Sequence, residues 1–248
     1  MTQALDGKVA LVTGAARRIG AAIARRLHAD GARIVIHYRG ASADADALCA
    51  ELNASRQASA VAVQADLLSD EAPARLVQAA LAAFGRLDLL VNNASSFYPT
   101  SVEGFTTKDW DELVGSNLRA PLFLSQAAAP QLAKQAGAIV NIVDIHWERP
   151  LKGYVVYSIA KAGLAGLTKS LALELGPAVR VNGVSPGAIA WPEDGQFDPV
   201  ERERIVSTTP AGRVGAPEDI AQAVHFLACA PYVTGQILAV DGGRSVFL

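Results

Sequence analysis

The chain has 248 residues, with 22 Lys and Arg against 24 Asp and Glu, for a net charge of −2. That balance excludes the strong basic excess of a general nucleic-acid binder and the polybasic patch of a membrane-surface protein, so neither partner is expected. With 51% hydrophobic residues and no apolar run of the ~18–20 residues that a membrane helix needs, the chain is expected to bury a core rather than stay disordered.

In chain order, Lys8–Thr13 is an apolar run that predicts a buried strand. A helix follows from Arg18 to Asp30, with Ile19, Ile23 and Leu27 at helical spacing and Gly31 as its stop. Ile34–His37 predicts the second strand, Ala43–Leu52 a helix and Ala60–Val63 the third strand. Pro73–Phe84 predicts a helix with proline near its start, and Leu87–Val91 the fourth strand. Thr107–Gln135 reads as mostly helical, with a bend expected near Asn117 or Pro121. Ala138–Val143 is the fifth strand, Val156–Leu175 a long helix and Val179–Val184 the sixth strand. A Gly/Pro-interrupted loop, Pro186 to Pro199, precedes a short helix from Val200; Pro217–Ala230 is a last helix and Ile237–Val240 a last strand.

Near-continuous apolar strands alternating with helices predict a parallel sheet covered on both faces. The expectation is one Rossmann-type, doubly wound α/β domain over residues 1–248, with a central, mostly seven-stranded parallel sheet. Such folds bind ligands beyond the carboxyl ends of their strands, so the residues just after each strand are where chemistry is expected. Cys49 and Cys229 stand far apart, the four histidines are scattered, and Met1–Lys8 lacks the pattern of a signal peptide. No metal site is expected, and a reducing cytoplasmic compartment is.

After the first strand comes Thr13-Gly14-Ala15-Ala16-Arg17-Arg18-Ile19-Gly20. A strand, a glycine turn and a helix start form the layout that holds a dinucleotide pyrophosphate, because the exposed N–H groups face the anion. Residues 1–40 also carry seven basic residues against two acidic ones, a local anion site inside a near-neutral chain. At the end of the second strand an acid would bind a ribose 2′-OH. This chain has His37-Tyr38-Arg39, with no acid, and Arg39 is placed to meet a 2′-phosphate, which predicts NADP(H). Asp66-Leu67 after the third strand reads either as an acceptor for the adenine amino group or as a helix cap. Asn92-Asn93-Ala94 is expected to lie as a turn against the cofactor.

Tyr157-Ser158-Ile159-Ala160-Lys161 places a phenol and an ammonium on one helix face at i, i+4. An ammonium nearby is expected to lower the phenol's pKa and help it act as a proton donor or base. Together with the glycine turn, Asn92-Asn93-Ala94, Asn117 and Pro186-Gly187, this segment resembles the short-chain dehydrogenase/reductase family over essentially the full chain. The resemblance implies a homotetramer or dimer. It implies that Gly14, Arg17, Arg18, Ile19, Gly20, His37, Tyr38, Arg39, Asp66, Leu67, Asn93, Ala94, Ser95, Tyr157, Lys161, Pro186 and Gly187 bind cofactor. Lys161 would bind the nicotinamide ribose, and Asn117 would hold a water linking Lys161 to solvent.

That family usually has serine about a dozen residues before the tyrosine; this chain has Asp144. A carboxylate facing a carbonyl oxygen would repel the developing oxyanion, whereas beside a ring nitrogen it can accept an N–H or help deliver a proton. The same departure, Arg18 in place of the turn's middle glycine, Asn93-Ala94-Ser95-Ser96-Phe97-Tyr98-Pro99, Gly115-Ser116-Asn117 and Pro150-Leu151-Lys152-Gly153-Tyr154 resemble the pteridine reductase branch. That branch implies a pterin stacked between Phe97 and the nicotinamide, with Arg18 and Ser95 beside it and Asp144, Tyr157 and Lys161 as the catalytic set. Trp191 is expected to wall the substrate site from a loop that lids it, and His146 and Trp147 read as packing residues. Two alternatives stay open: a carbonyl or 3-oxoacyl-thioester reductase that tolerates aspartate, and a non-catalytic NADP-binding sensor.

Overall fold

The computed structural model describes residues 4–191 and 197–247. Seven parallel strands form one sheet: β1 (Val9–Val12), β2 (Arg33–Tyr38), β3 (Ala60–Gln64), β4 (Leu89–Asn92), β5 (Ala138–Ile142), β6 (Arg180–Pro186) and β7 (Ile237–Val240). Their order is β3-β2-β1-β4-β5-β6-β7. The order reverses between β1 and β4, and a crevice opens there at the carboxyl ends of the strands.

Strand alternation divides the core. Ala10 and Val12 of β1 face α1 (Arg18–Ala29), α2 (Ser42–Ser55) and α8 (Pro217–Cys229), packing with Ile23, Leu27 and Val224. Val9 and Leu11 face α3 (Ala72–Phe84), α5 (Ala120–Lys134) and α6 (Val155–Leu175), packing with Leu76, Leu124 and Leu132. All four β1 residues are therefore buried, and so their sequence is uniformly apolar.

The elements match the sequence expectations within a few residues, with three differences. The helix expected over Thr107–Gln135 is α4 (Thr107–Val114), a π-helical stretch over Gly115–Arg119, and α5. The expected bend is thus a π-helical segment centred on Asn117, a form often found at functional sites. A 3-10 turn, Ile145–Trp147, follows β5, and a four-residue helix, α9 (Arg244–Phe247), follows β7. The short helix after the Gly/Pro loop is α7 (Pro199–Ser207), started by a reciprocal Asp198–Glu201 capping box. No helix among the described residues is long and apolar enough to cross a membrane.

Candidate active site

A cavity of about 730 Å³ runs along the carboxyl ends of the strands, from Gly14, His37 and Arg39 to Tyr157 and Trp191. Of the residues expected to form the site, all line it except Tyr38 and Asn117. Tyr38 instead packs partly buried against the apolar core under α1, because alternation along β2 turns it from the cavity that His37 faces. Asn117 is 1% exposed, and its side chain is fully engaged behind the wall. Its amide donates to the Ser96 and Leu113 carbonyls, and its Oδ1 accepts from Ser95 Oγ at 2.7 Å. Asn117 therefore positions the Ser95–Ser96 segment, with the Ser95 hydroxyl donating to Asn117 while it also neighbours the Tyr157 hydroxyl in the cavity wall.

The cofactor end is built mostly from backbone. Gly14 has φ +60°, and a Cβ there would sit 2.9 Å from Ala94 Cα. A Cβ on Gly20 would collide with the Gly14 carbonyl and come 2.7 Å from the Asn93 amide nitrogen. Asn93 Nδ2 donates to the carbonyls of Thr13 (2.8 Å) and Gly14 (3.1 Å), while Thr13 Oγ1 accepts from the N–H groups of Asn93 and Ala94. Asn93 thus locks two strand ends together. Thr13, which sequence reasoning passed over, is the other half of that lock.

His37 is 2% exposed and staples the turn from below. Its Nδ1 faces the Gly14 N–H at 3.1 Å and its Nε2 the Ala65 carbonyl at 3.1 Å. Only the neutral ring protonated on Nε2 satisfies both, and burial lowers its pKa accordingly. Helix α1 begins here with no side-chain cap and no acid in its first turn, so its free N–H groups and positive dipole end face the cavity. Arg17 pairs with Asp44 at 2.6 Å. Arg39 is exposed at the end of β2 on the cavity rim. Asp66 makes a local turn by accepting from the Leu68 N–H at 3.0 Å and does not cap α3, whose N-cap is Glu71. A glycine cradle, a bare helix N-terminus and arginines at one end fit an elongated anion such as a dinucleotide.

The substrate end is built from side chains. Arg18 has φ +50°, the left-handed region that favours glycine, and Ala190 across the cavity has φ +47°. Arg18 NH2 donates to the Ala190 carbonyl at 2.9 Å, clasping the segment after β6 over the turn after β1. Trp191 lines the cavity next to Phe197, with Arg202 over its ring at 5.2 Å. Residues 192–196 of the expected lid lie outside the described residues. Phe97 stacks on Tyr154 (centroids 4.7 Å apart) and meets Tyr157 edge-on at 4.8 Å, so Tyr154 is part of the aromatic wall that sequence reasoning missed. His146 lines the cavity, contrary to expectation, whereas Trp147 packs as expected against the Val143–Leu164 cluster.

At the centre, the Tyr157 hydroxyl donates to Asp144 Oδ2 at 2.9 Å, and Asp144 Oδ1 accepts from the His146 N–H at 2.9 Å. Lys161 Nζ donates to the Ile142 carbonyl at 2.9 Å and lies 5.6 Å from the Tyr157 ring centre. The face of α6 that carries them is held by a buried chain in which Asn92 donates to Asn141 and Asn141 to Thr168. Buried asparagines inside otherwise apolar strands were the available signal for this chain. The expected lowering of the tyrosine by lysine is reversed. Burial, then the Asp144 charge and hydrogen bond, hold the Tyr157 phenol protonated well above the ordinary tyrosine range. Burial pulls Lys161 down to about 8, with Asp144 opposing. The arrangement is a phenolic proton donor beside a carboxylate, with an ammonium behind it.

A family model described as enoyl-(acyl carrier protein) reductase matches residues 14–245. Pteridine reductase 1 of Leishmania tarentolae is 41% identical, with 99% of each chain covered. The granaticin polyketide synthase putative ketoacyl reductase 2 of Streptomyces violaceoruber is 38% identical, with 98% of each covered. A 3-oxoacyl-[acyl-carrier-protein] reductase of Synechocystis is also 38% identical, covering 98% of this chain and 99% of the relative. Overall identity thus barely separates relatives named for different substrates.

Proposed function

The chain belongs to the short-chain dehydrogenase/reductase family and is an oxidoreductase, and from that premise we propose that it reduces a dihydropterin to a tetrahydropterin with NADPH. The observation that carries this reading is the Asp144 carboxylate hydrogen-bonded to the Tyr157 hydroxyl at 2.9 Å, inside a wall headed by Phe97. A ketone needs a neutral donor where its oxyanion develops, and a carboxylate there raises the barrier. A planar ring nitrogen that must gain a proton is served by the pair.

NADPH bound along the cavity supplies the hydride. Arg39 meets the 2′-phosphate, the N-terminus of α1 faces the pyrophosphate, and Lys161 holds the nicotinamide ribose. Phe97 stacks on the pterin, with Arg18, Ser95 and Trp191 around it. A proton reaches the ring nitrogen next to the carbon that receives hydride from the Tyr157 phenol, kept protonated by burial and Asp144, or from a water ordered by the two. Asp144 orients that hydroxyl through Oδ2 while its Oδ1 is fixed by the His146 N–H. Exposed Trp110, Leu122, Phe123 and Ile159 on α4–α6 support assembly as a homotetramer, and the unpaired cysteines suit the reducing cytoplasm.

The test is steady-state NADPH oxidation with dihydrobiopterin, dihydromonapterin and dihydrofolate, set against a 3-oxoacyl thioester and simple ketones. Turnover of a dihydropterin is expected, and Asp144→Ser should lose most of it, by about 10²-fold or more. Turnover of the thioester or ketones alone, kept or raised in Asp144→Ser, would establish the carbonyl-reductase reading instead.

A further inference from the structure

At the end of α1 opposite the glycine turn, about 18 Å of helix away, three side chains with metal-binding chemistry converge. Asp30 caps the carboxyl end of α1, and His225 and Cys229 stand four residues apart on the last turn of α8. His225 Nε2 lies 2.7 Å from Asp30 Oδ2 and 3.8 Å from Cys229 Sγ. All three ligand atoms fall within 4.8 Å of one another, and all three residues are half-buried. Among the described residues this is the one group of three such ligands that does so. Both partners crowd one ring nitrogen, so this is no Cys-His-Asp nucleophile, which would need the carboxylate on Nδ1 and the thiol on Nε2.

We propose that Asp30, His225 and Cys229 form a binding site for a thiophilic divalent cation, Zn²⁺ or Co²⁺, with a fourth position open to water. The carboxylate, imidazole and thiolate set and its convergence on one point match tetrahedral zinc. The scaffold is rigid where the site needs it. Ile23 and Leu27 of α1 pack with Val224 and Leu227 of α8 in the core. The Arg180 guanidinium donates to the Leu227 and Ala228 carbonyls, fixing the turn that presents Cys229. Binding takes the proton from the Cys229 thiol and moves the His225 ring proton from Nε2 to Nδ1. Arg26, whose NH2 now faces His225 Nδ1 at 3.3 Å, must then swing from it, so Arg26 opposes the metal. The spacing His225-x3-Cys229 is visible in the sequence, but Asp30 is joined to it only by the packing of α1 on α8. The site is independent of the reaction at the other end of α1.

The experiment is titration of the metal-stripped full chain with Co²⁺, followed by displacement with Zn²⁺. One equivalent should bind, with the intensified visible bands of tetrahedral cobalt and a thiolate-to-cobalt charge-transfer band. Cys229→Ser should abolish the charge-transfer band, and His225→Ala should weaken binding by about tenfold or more. Arg26→Ala should tighten binding several-fold, and Cys49→Ser should change nothing. Zn²⁺ should raise the melting temperature of the parent protein but not of Cys229→Ser. Absence of binding, a charge-transfer band that survives Cys229→Ser, or one that disappears in Cys49→Ser would overturn the assignment.

Discussion

The two ends of the cavity are made of different materials. The cofactor end is mostly main chain. Gly14, Gly20 and the bare start of α1 shape it, and Thr13, His37 and Asn93 brace it from behind with hydrogen bonds to backbone. The substrate end is side chain, for Phe97, Asp144, Tyr154, Tyr157 and Trp191 arrive from three separate connections between strands. A backbone site presents the same N–H groups whatever the side chains, so it can serve many reactions. A side-chain site is redefined by one substitution, and Asp144 stands where the resemblance to the family leads one to expect serine. Relatives at 38–41% identity bear names for different substrates.

The sharpest break at the substrate end is Tyr157→Phe. It removes the proton donor and leaves the stacking wall, so kcat should fall about 10²–10⁴-fold, with NADPH affinity measured by fluorescence titration nearly unchanged. At the cofactor end, Arg39→Ala should raise the KM for NADPH by about 10–100-fold, the worth of one or two charge-assisted hydrogen bonds. The KM for NADH should hardly move, and equal effects on both cofactors would remove Arg39 from the 2′-phosphate.

A pH profile couples the two ends through Lys161. On the proposed function its ammonium is the form that binds ribose, and its folded value of about 8 lies below the ordinary 10.5. The proton is therefore lost as pH rises through 8, and kcat/KM should fall about tenfold per pH unit above it. Stability moves the other way. The unfolded chain holds this proton up to about 10.5, so the Lys161 contribution to stability rises between pH 8 and 10.5. Denaturant melts across that range, against Lys161→Met, isolate the contribution.

The smallest effect joins the two ends directly. Arg18→Gly relieves a left-handed residue and should stabilise the fold by up to about 1 kcal/mol. It also severs the clasp to the Ala190 carbonyl, so the substrate KM should rise while the melting temperature holds or climbs. A rise in both KM values would move Arg18 from the substrate end to the cofactor end.

The cofactor end was legible because its signals are local: a glycine turn after an apolar strand, a basic residue where an acid would stand, each a few residues long. The Asp144–Tyr157–Lys161 set was legible for a related reason, since i, i+4 spacing on α6 and the end of β5 place all three members within one connection. The direction of the Tyr157 shift was not legible. It depends on burial and on which charge lies nearer, and the fold puts Asp144 at the hydroxyl while turning Lys161 to the Ile142 carbonyl. Tyr154 behind Phe97 and the withdrawal of Asn117 into a π-helical turn likewise follow from how α4 to α6 pack.

The sequence alone determined the sheet, the order of its connections and the anion end of the cavity, because strand periodicity and turn chemistry act over a few residues. Tertiary structure alone decided which side chains brace the site and which face it, what holds the tyrosine protonated, and that Asp30 meets His225 and Cys229. Those outcomes depend on desolvation and on contacts between residues up to two hundred positions apart, which no local pattern encodes.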